Sequence, residues 1–289
     1  MEFPVPFNLS YCKTYDNNSE IQSLFMQLEE IKITRTVISH FYNEEYLLPW
    51  WLMHHTKIFD HGILINRGST DRSVEICKLF APNWEVRNSR FPDFDPTNTD
   101  IEVMEIEREV SGWKMVLNTT EFLCCNNVEE FFSSLHTLGQ NMYAIRMIVM
   151  IDKHDYNYSK LRYSIPLVEQ RYHGLFPYKP EIGCAWRFIH NHLDGAYLPG
   201  RHFTRHQHIV YNSPSFIVKF YFSPWNEHAK ARKLQITPTL SKKGIRMGLQ
   251  AHYGQSHEQL ETRFLELSSI TQDLRNHPEY QQLFPKFKP

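Results

Sequence analysis

The sequence predicts an α/β fold: a mainly parallel, Rossmann-type sheet flanked by helices, with a helical piece at the C-terminus. Two observations predict it. In the first half, short apolar runs alternate with stretches of helical periodicity, the pattern of successive βα units. No internal repeat, low-complexity tract or linker interrupts that alternation.

Each element follows from its own residues. Arg35 to Ser39 reads as the first strand, and Tyr46 to Lys57 as a helix carrying Leu47, Leu48, Trp51, Leu52 and His55. Gly62 to Ile65 is the second strand, and Arg72 to Phe80 a helix with Val74, Ile76, Cys77 and Phe80 inward. Trp84 to Val86 is a third, short strand. Thr99-Asp100-Ile101-Glu102 has the form of a capping box and is expected to open a helix reaching Val110. Trp113 to Leu117 is the next strand, Glu129 to Leu138 the next helix, and Tyr143 to Met150 a further strand. This order is a nucleotide-binding arrangement, in which ligands sit at the carboxyl ends of the strands.

The second half is rich in Pro, His and aromatic residues, with strand-like runs at His208 to Tyr211 and Phe216 to Phe222. An amphipathic helix follows from His257, with Leu260, Phe264, Leu267, Ile270 and Leu274 at steps of three and four. The expected organisation is an N-terminal extension over 1–30, one domain over 31–255, and a C-terminal helix and tail over 256–289 packed on it.

Bulk properties exclude several classes. The chain has 289 residues, 42% of them hydrophobic, and a formal net charge of -1, without the basic excess of a general nucleic-acid binder. The N-terminus lacks the basic and apolar regions of a signal peptide. No run approaches the ~18 apolar residues of a membrane span, so a cytoplasmic location is expected. The five cysteines match no zinc spacing and read as reduced thiols, with Cys124 and Cys125 at the end of a buried strand. His202, His206 and His208 lack the companions of a structural zinc site and are expected to line a ligand cleft. Neither G-x-S-x-G nor a P-loop is present, so hydrolase and kinase chemistry have no support.

Three strand ends remain. The first strand runs into Ser39-His40-Phe41-Tyr42-Asn43-Glu44-Glu45, where Asn43 could simply cap the helix, with Glu44 and Glu45 favouring its dipole. The second runs into Asn66-Arg67-Gly68-Ser69-Thr70-Asp71, a tight turn followed by cap-type residues. The fourth runs into Asn118-Thr119-Thr120-Glu121. All three are expected along one sheet edge.

In order and spacing, "ISHFYNEEYLLPWWLMHH", "FDHGILINRGSTDRS" and "WKMVLNTTEFL" resemble the three motifs of family-2-type glycosyltransferases with the GT-A fold. The resemblance covers residues 35 to 125. It implies a GT-A-like domain that moves a sugar from a nucleotide-diphosphate-sugar donor to a hydroxyl of a glycan or glycoconjugate acceptor, usually with inversion. In that family the first two turns hold the nucleotide, which maps onto Asn43, Glu45, Asn66, Arg67, Ser69 and Asp71. The third, the DXD motif, holds a divalent metal on the diphosphate, which maps onto Asn118, Thr120 and Glu121.

Here the motif departs. Strand alternation would set positions 118 and 120 on one face, as a metal requires. Mg²⁺ and Mn²⁺ prefer anionic oxygens, and Asn118 and Thr120 supply none. Weak or absent metal dependence is therefore expected, and no cofactor is required. The alternative is Mn²⁺ or Mg²⁺ held by Glu121 and His252. Basic residues then offset the diphosphate charge: Lys242, Lys243 and Arg246 with His252 in one stretch, and Lys230, Arg232 and Lys233 in another. An inverting transfer needs a carboxylate to deprotonate the acceptor. Glu227 and Glu121 are the expected choices, with Asp152 and Asp194 as further candidates. The neutral Asn118 and Thr120 also support a different class, a GT-A-shaped protein that binds a nucleotide or glycan without catalysis.

Overall fold

The computed structural model describes residues 34–91, 93–176, 186–212, 214–246 and 254–287. Within these, β1 (Arg35–Phe41), β2 (His61–Asn66), β3 (Glu85–Asn88) and β4 (Trp113–Val116) alternate with α1 (Leu48–His55), α2 (Ser73–Phe80) and α3 (Pro96–Glu107). Pairing is parallel from β3 through β2 and β1 to β4. Val37, Ile38, Ile63 and Ile65 are wholly buried, because helices cover both faces and leave these strands no solvent side.

β5 (Glu121–Cys125) and α4 (Val128–Thr137) lead into β6 (Met142–Ile151), the ten-residue strand on which the second half is built. The first half of β6 pairs antiparallel with β8 (Trp186–His190), which itself lies antiparallel beside β4. Its second half pairs with β7 (His173–Leu175), preceded by the one-turn α5 (Leu167–Gln170), and lies parallel to β10 (Ser215–Phe222). β9 (Ile209–Val210) adds to the start of β6, and β10 reaches back to pair antiparallel with β5. Seven of the described strands (β1, β2, β3, β4, β6, β9 and β10) thus run in one direction, with the ends of β1, β2 and β4 leading into the three polar turns. The mixed sheet with a parallel core between helices is the GT-A-like arrangement expected.

Downstream lie α6 (Glu227–Leu234), α7 (Lys242–Arg246), α8 (His257–Ser269), β11 (Gln272–Asp273, paired with β7) and α9 (Pro278–Leu283). Leu260, Phe264 and Leu267 of α8, with Leu274, Tyr280 and Leu283, join the main hydrophobic core. Ile270 is exposed, because the helix ends at Ser269. Cys77 and Cys124 are buried free thiols, and Cys125 is a partly exposed one.

Two local expectations are corrected. The helix α3 begins three residues before Thr99: Pro96 takes the first position, and Asp95 caps it by accepting from the backbone N–H groups of Thr97 and Asn98. Asp100 and Glu102, one turn into the helix, are instead buried and face inward. Positions 118 to 121 form a tight turn, with the Glu121 N–H donating to the Asn118 carbonyl at 2.8 Å. Strand alternation therefore does not relate Asn118 to Thr120, since the chain must reverse there to start β5.

Candidate active site

The turns after β1 and β2 are fastened to each other. Asn43 sits in the left-handed region (φ 48°), which asparagine tolerates, and does not cap α1. Its side-chain oxygen instead accepts from the backbone N–H groups of Thr70 and Asp71 at 2.7 and 3.3 Å. Ser69 Oγ accepts from the Asn43 N–H at 3.0 Å, and Asn66 Oδ1 accepts from the Ser69 N–H at 2.8 Å. Asp71 accepts from the N–H groups of Glu45 and Ser73, both at 3.0 Å, and Glu45 accepts from the Arg72 N–H at 3.1 Å. Gly68 supplies the positive φ of 79° at the crest. The polar side chains expected to meet the nucleotide thus shape the loops that would meet it. Arg67 reaches over the rings of Phe94 and Tyr42, 4.5 and 5.6 Å from their centroids.

The turn after β4 is held from beneath. Glu121 is fully buried, and its carboxylate accepts two hydrogen bonds from Arg187, both at 2.8 Å. Lys219 Nζ lies 3.5 Å away. The same carboxylate accepts from the Asn118 N–H at 2.9 Å. Burial raises the Glu121 pKa, but the Arg187 and Lys219 charges outweigh it and hold the group well below the usual carboxylate range. A carboxylate so held is a poor proton acceptor, and it fixes Asn118 through the Asn118 N–H. Asn118 Oδ1 in turn accepts from Arg201 at 3.1 Å, and Arg201 is ion-paired with buried Asp100. His202 Nδ1 lies 2.9 Å from Arg187. Burial, with Arg187 and Lys219 nearby, pushes the His202 pKa down to about 3.

The helix α6 closes this edge from above. Asn226 caps it by accepting from the Ala229 N–H, and donates its side-chain N–H to the Tyr46 hydroxyl at 2.6 Å. Arg232 pairs with buried Glu44 and lies 3.5 Å from Thr119 Oγ1. Gln235 donates to the Asn43 carbonyl at 2.9 Å. Lys233 lies over Tyr221 and Phe222, 4.3 Å from each centroid.

The other expected residues divide by position. Glu227 is exposed and pairs with Lys230 within its own helix at 2.9 Å. Lys230 also pairs with Glu261, away from the turns. Lys242 and Arg246 are exposed on the short α7, whose leading segment bonds to Phe94 and Asp95. The Lys243 side chain and His252 lie outside the described residues. Asp194 pairs with Arg108 beyond the end of β8, at the opposite sheet edge from the three turns. His206 accompanies it there, bonded to the Asp194 carbonyl, whereas His202 lies against Arg187.

Asp152 terminates β6, accepting from Ser223 Oγ at 2.5 Å and from the Trp225 N–H at 2.9 Å. Burial raises its pKa against the pull of Arg171, the direction a base requires. Among the described residues no group of three or more His, Cys, Asp or Glu is arranged to hold a metal. At the third motif the donors are neutral, and the nearby carboxylates Asp100 and Glu121 are both taken by arginines. Among the described residues, that donor set does not fit a divalent ion.

No family model matches the chain, and no curated protein does. Solved structures do. Residues 1–349 of S. aureus TarS in complex with UDP-GlcNAc match at 12% identity, over 87% of this chain and 80% of that one, with a TM-score of 0.39. S. aureus TarS itself matches at 12% identity, over 87% of this chain and 48% of that one, with a TM-score of 0.40. Glucosyl-3-phosphoglycerate synthase from Mycobacterium tuberculosis, in complex with Mn²⁺, UDP and glucosyl-3-phosphoglycerate, matches at 14% identity, over 41% and 44% of the two chains, with a TM-score of 0.29. This chain is similar to these proteins in structure, and it spans about half the length of TarS.

Proposed function

We propose that this protein is a glycosyltransferase that moves a sugar from a nucleotide-diphosphate-sugar donor to a hydroxyl of a glycan or glycoconjugate acceptor, with inversion and without a required metal. One observation carries the reading: three polar turns from separate strands converge at the carboxyl edge of a parallel sheet, with two of them cross-bonded through Asn43, Ser69 and Asp71. That rigidity pre-forms a nucleotide cleft, so little ordering cost falls on binding. Asn118, fixed by Glu121 and Arg201, presents an amide to donor-sugar or ribose hydroxyls, with Thr120 beside it. Asp152 takes the acceptor proton, and the aromatic surround of Tyr46, Trp225 and His228 forms the acceptor side.

The test is product formation from a panel of nucleotide-sugars, with excess chelator and with added Mn²⁺. Transfer is expected to survive the chelator. Asp152→Asn is expected to lower turnover by about 10²-fold or more, the scale of general-base catalysis, while Glu227→Gln leaves it within about twofold. The neutral third motif favours a second reading, a nucleotide- or glycan-binding protein without catalysis. Donor binding with no transfer under either condition would establish that instead.

A further inference from the structure

We propose that Lys219, Arg232 and Lys233 form a built-in anion site at the end of β4, backed by Arg201, which takes the diphosphate of the donor where the resembled family uses a divalent cation. This rests on the nucleotide-sugar reading above and names the residues that make metal unnecessary.

The first support is charge. Around the 118–121 turn stand five cationic side chains, Arg187, Arg201, Lys219, Arg232 and Lys233. They face three carboxylates, Glu121, Asp100 and Glu44. Among the described residues the cationic side chains there outnumber the carboxylates. The second support is position. Lys219 is the register partner of Glu121, and the Phe220 N–H donates to the Thr120 carbonyl at 2.8 Å. The β10 strand therefore delivers Lys219 directly to the turn, and Arg232 reaches the same turn at Thr119 from α6. The side chains of Lys219 and Arg232 are 13% and 15% exposed, so both cations stand in a largely dry surround.

The third support is Lys233. Among the described residues no carboxylate pairs with it; its charged neighbours are Arg232 and Lys219, with two aromatic rings beneath. Burial and those like charges push its pKa down to about 7. An ammonium held among cations is an unfavourable arrangement that a bound anion relieves. Arg201 cannot leave its place, being fixed between Asp100 and Asn118, and so acts as a stationary positive wall.

The experiment is calorimetric titration of the full chain, in excess EDTA, with inorganic pyrophosphate and with UDP, GDP and ADP. Pyrophosphate and at least one nucleoside diphosphate are expected to bind. Lys233→Met and Lys219→Met are each expected to weaken both about tenfold, as loss of a charge-assisted contact does, and Lys233→Arg to restore binding. Should Lys219→Met fail to fold, the Lys233 pair of variants decides. Nucleoside diphosphate binding that appears only with Mn²⁺ overturns the anion site and leaves the donor reading standing. Pyrophosphate binding that depends on Lys233, with no nucleoside diphosphate bound more tightly, upholds the anion site and sinks the donor reading. Loss that follows Lys242→Met and Arg246→Met, with Lys233→Met silent, also overturns the proposal.

Discussion

At the scale of single residues, what the sequence reveals depends on how far apart partners lie. Asn118 and Thr120 stand out in the sequence because the stretch around them is continuous. Arg187 and Arg201 could not, because they meet Glu121 and Asp100 across 66 and 101 residues. That separation hid the contacts by which Glu121 is tied to Arg187 and to the Asn118 turn. Lys233 offers a pH-dependent test. Its folded pKa of about 7 lies below the ordinary 10.5. Between those values the unfolded chain carries a proton that the folded chain has released, so this group makes stability rise with pH across that window and leaves it flat below. Urea midpoints at pH 7 and pH 9 are expected to differ less in Lys233→Met than in the unaltered protein. An unchanged difference would show that the amine titrates normally. Saturating pyrophosphate should abolish the effect in the unaltered protein, by keeping the amine charged.

At the scale of elements, the parallel strands and their helices were legible because hydrophobic period reports burial directly. The antiparallel additions were not. β7 has too few residues to show a period, and both β7 and β8 are held as strands by pairing with β6. The Thr99 capping pattern misled for a related reason: side chains that look like a cap are taken inward by His40 and Arg201. The α6 helix matters most for the site, because it carries Arg232, Lys233 and Gln235 over the turns. Its orientation depends on Asn226, which both caps it and bonds to Tyr46. Asn226→Ala is expected to cost about 1 kcal/mol of stability as a lost cap. It is also expected to weaken nucleoside diphosphate binding several-fold, as the helix loses its tie to Tyr46. Asn226→Asp keeps the cap acceptor and loses the donor to Tyr46, so binding should fall with stability nearly intact. Equal binding in all three proteins would show that α6 is positioned by its packing alone.

At the scale of the whole molecule, the formal net charge is -1, so the positive excess at the 118–121 turn is local. The fold creates it. β6 is long enough to pair with β8 along one half and β10 along the other, and this brings Arg187 and Lys219 from separate strands to one carboxylate. Restoring the missing carboxylate tests whether charge balance or metal geometry governs the place. In Asn118→Asp the new carboxylate would stand where Oδ1 now accepts from Arg201 at 3.1 Å, beside an arginine already paired with Asp100. It is therefore expected to join that ion pair and remove one unit of the local excess. Nucleoside diphosphate affinity in chelator should fall about tenfold, and added Mn²⁺ should not recover it, because Arg201 already holds that oxygen. Titration of Asn118→Asp with UDP, GDP and ADP, with and without Mn²⁺, reads this directly. A variant that binds more tightly with Mn²⁺ than the unaltered protein does would show that the place still fits a metal, and that its amide is a recent neutral stand-in rather than one part of a resident cationic site.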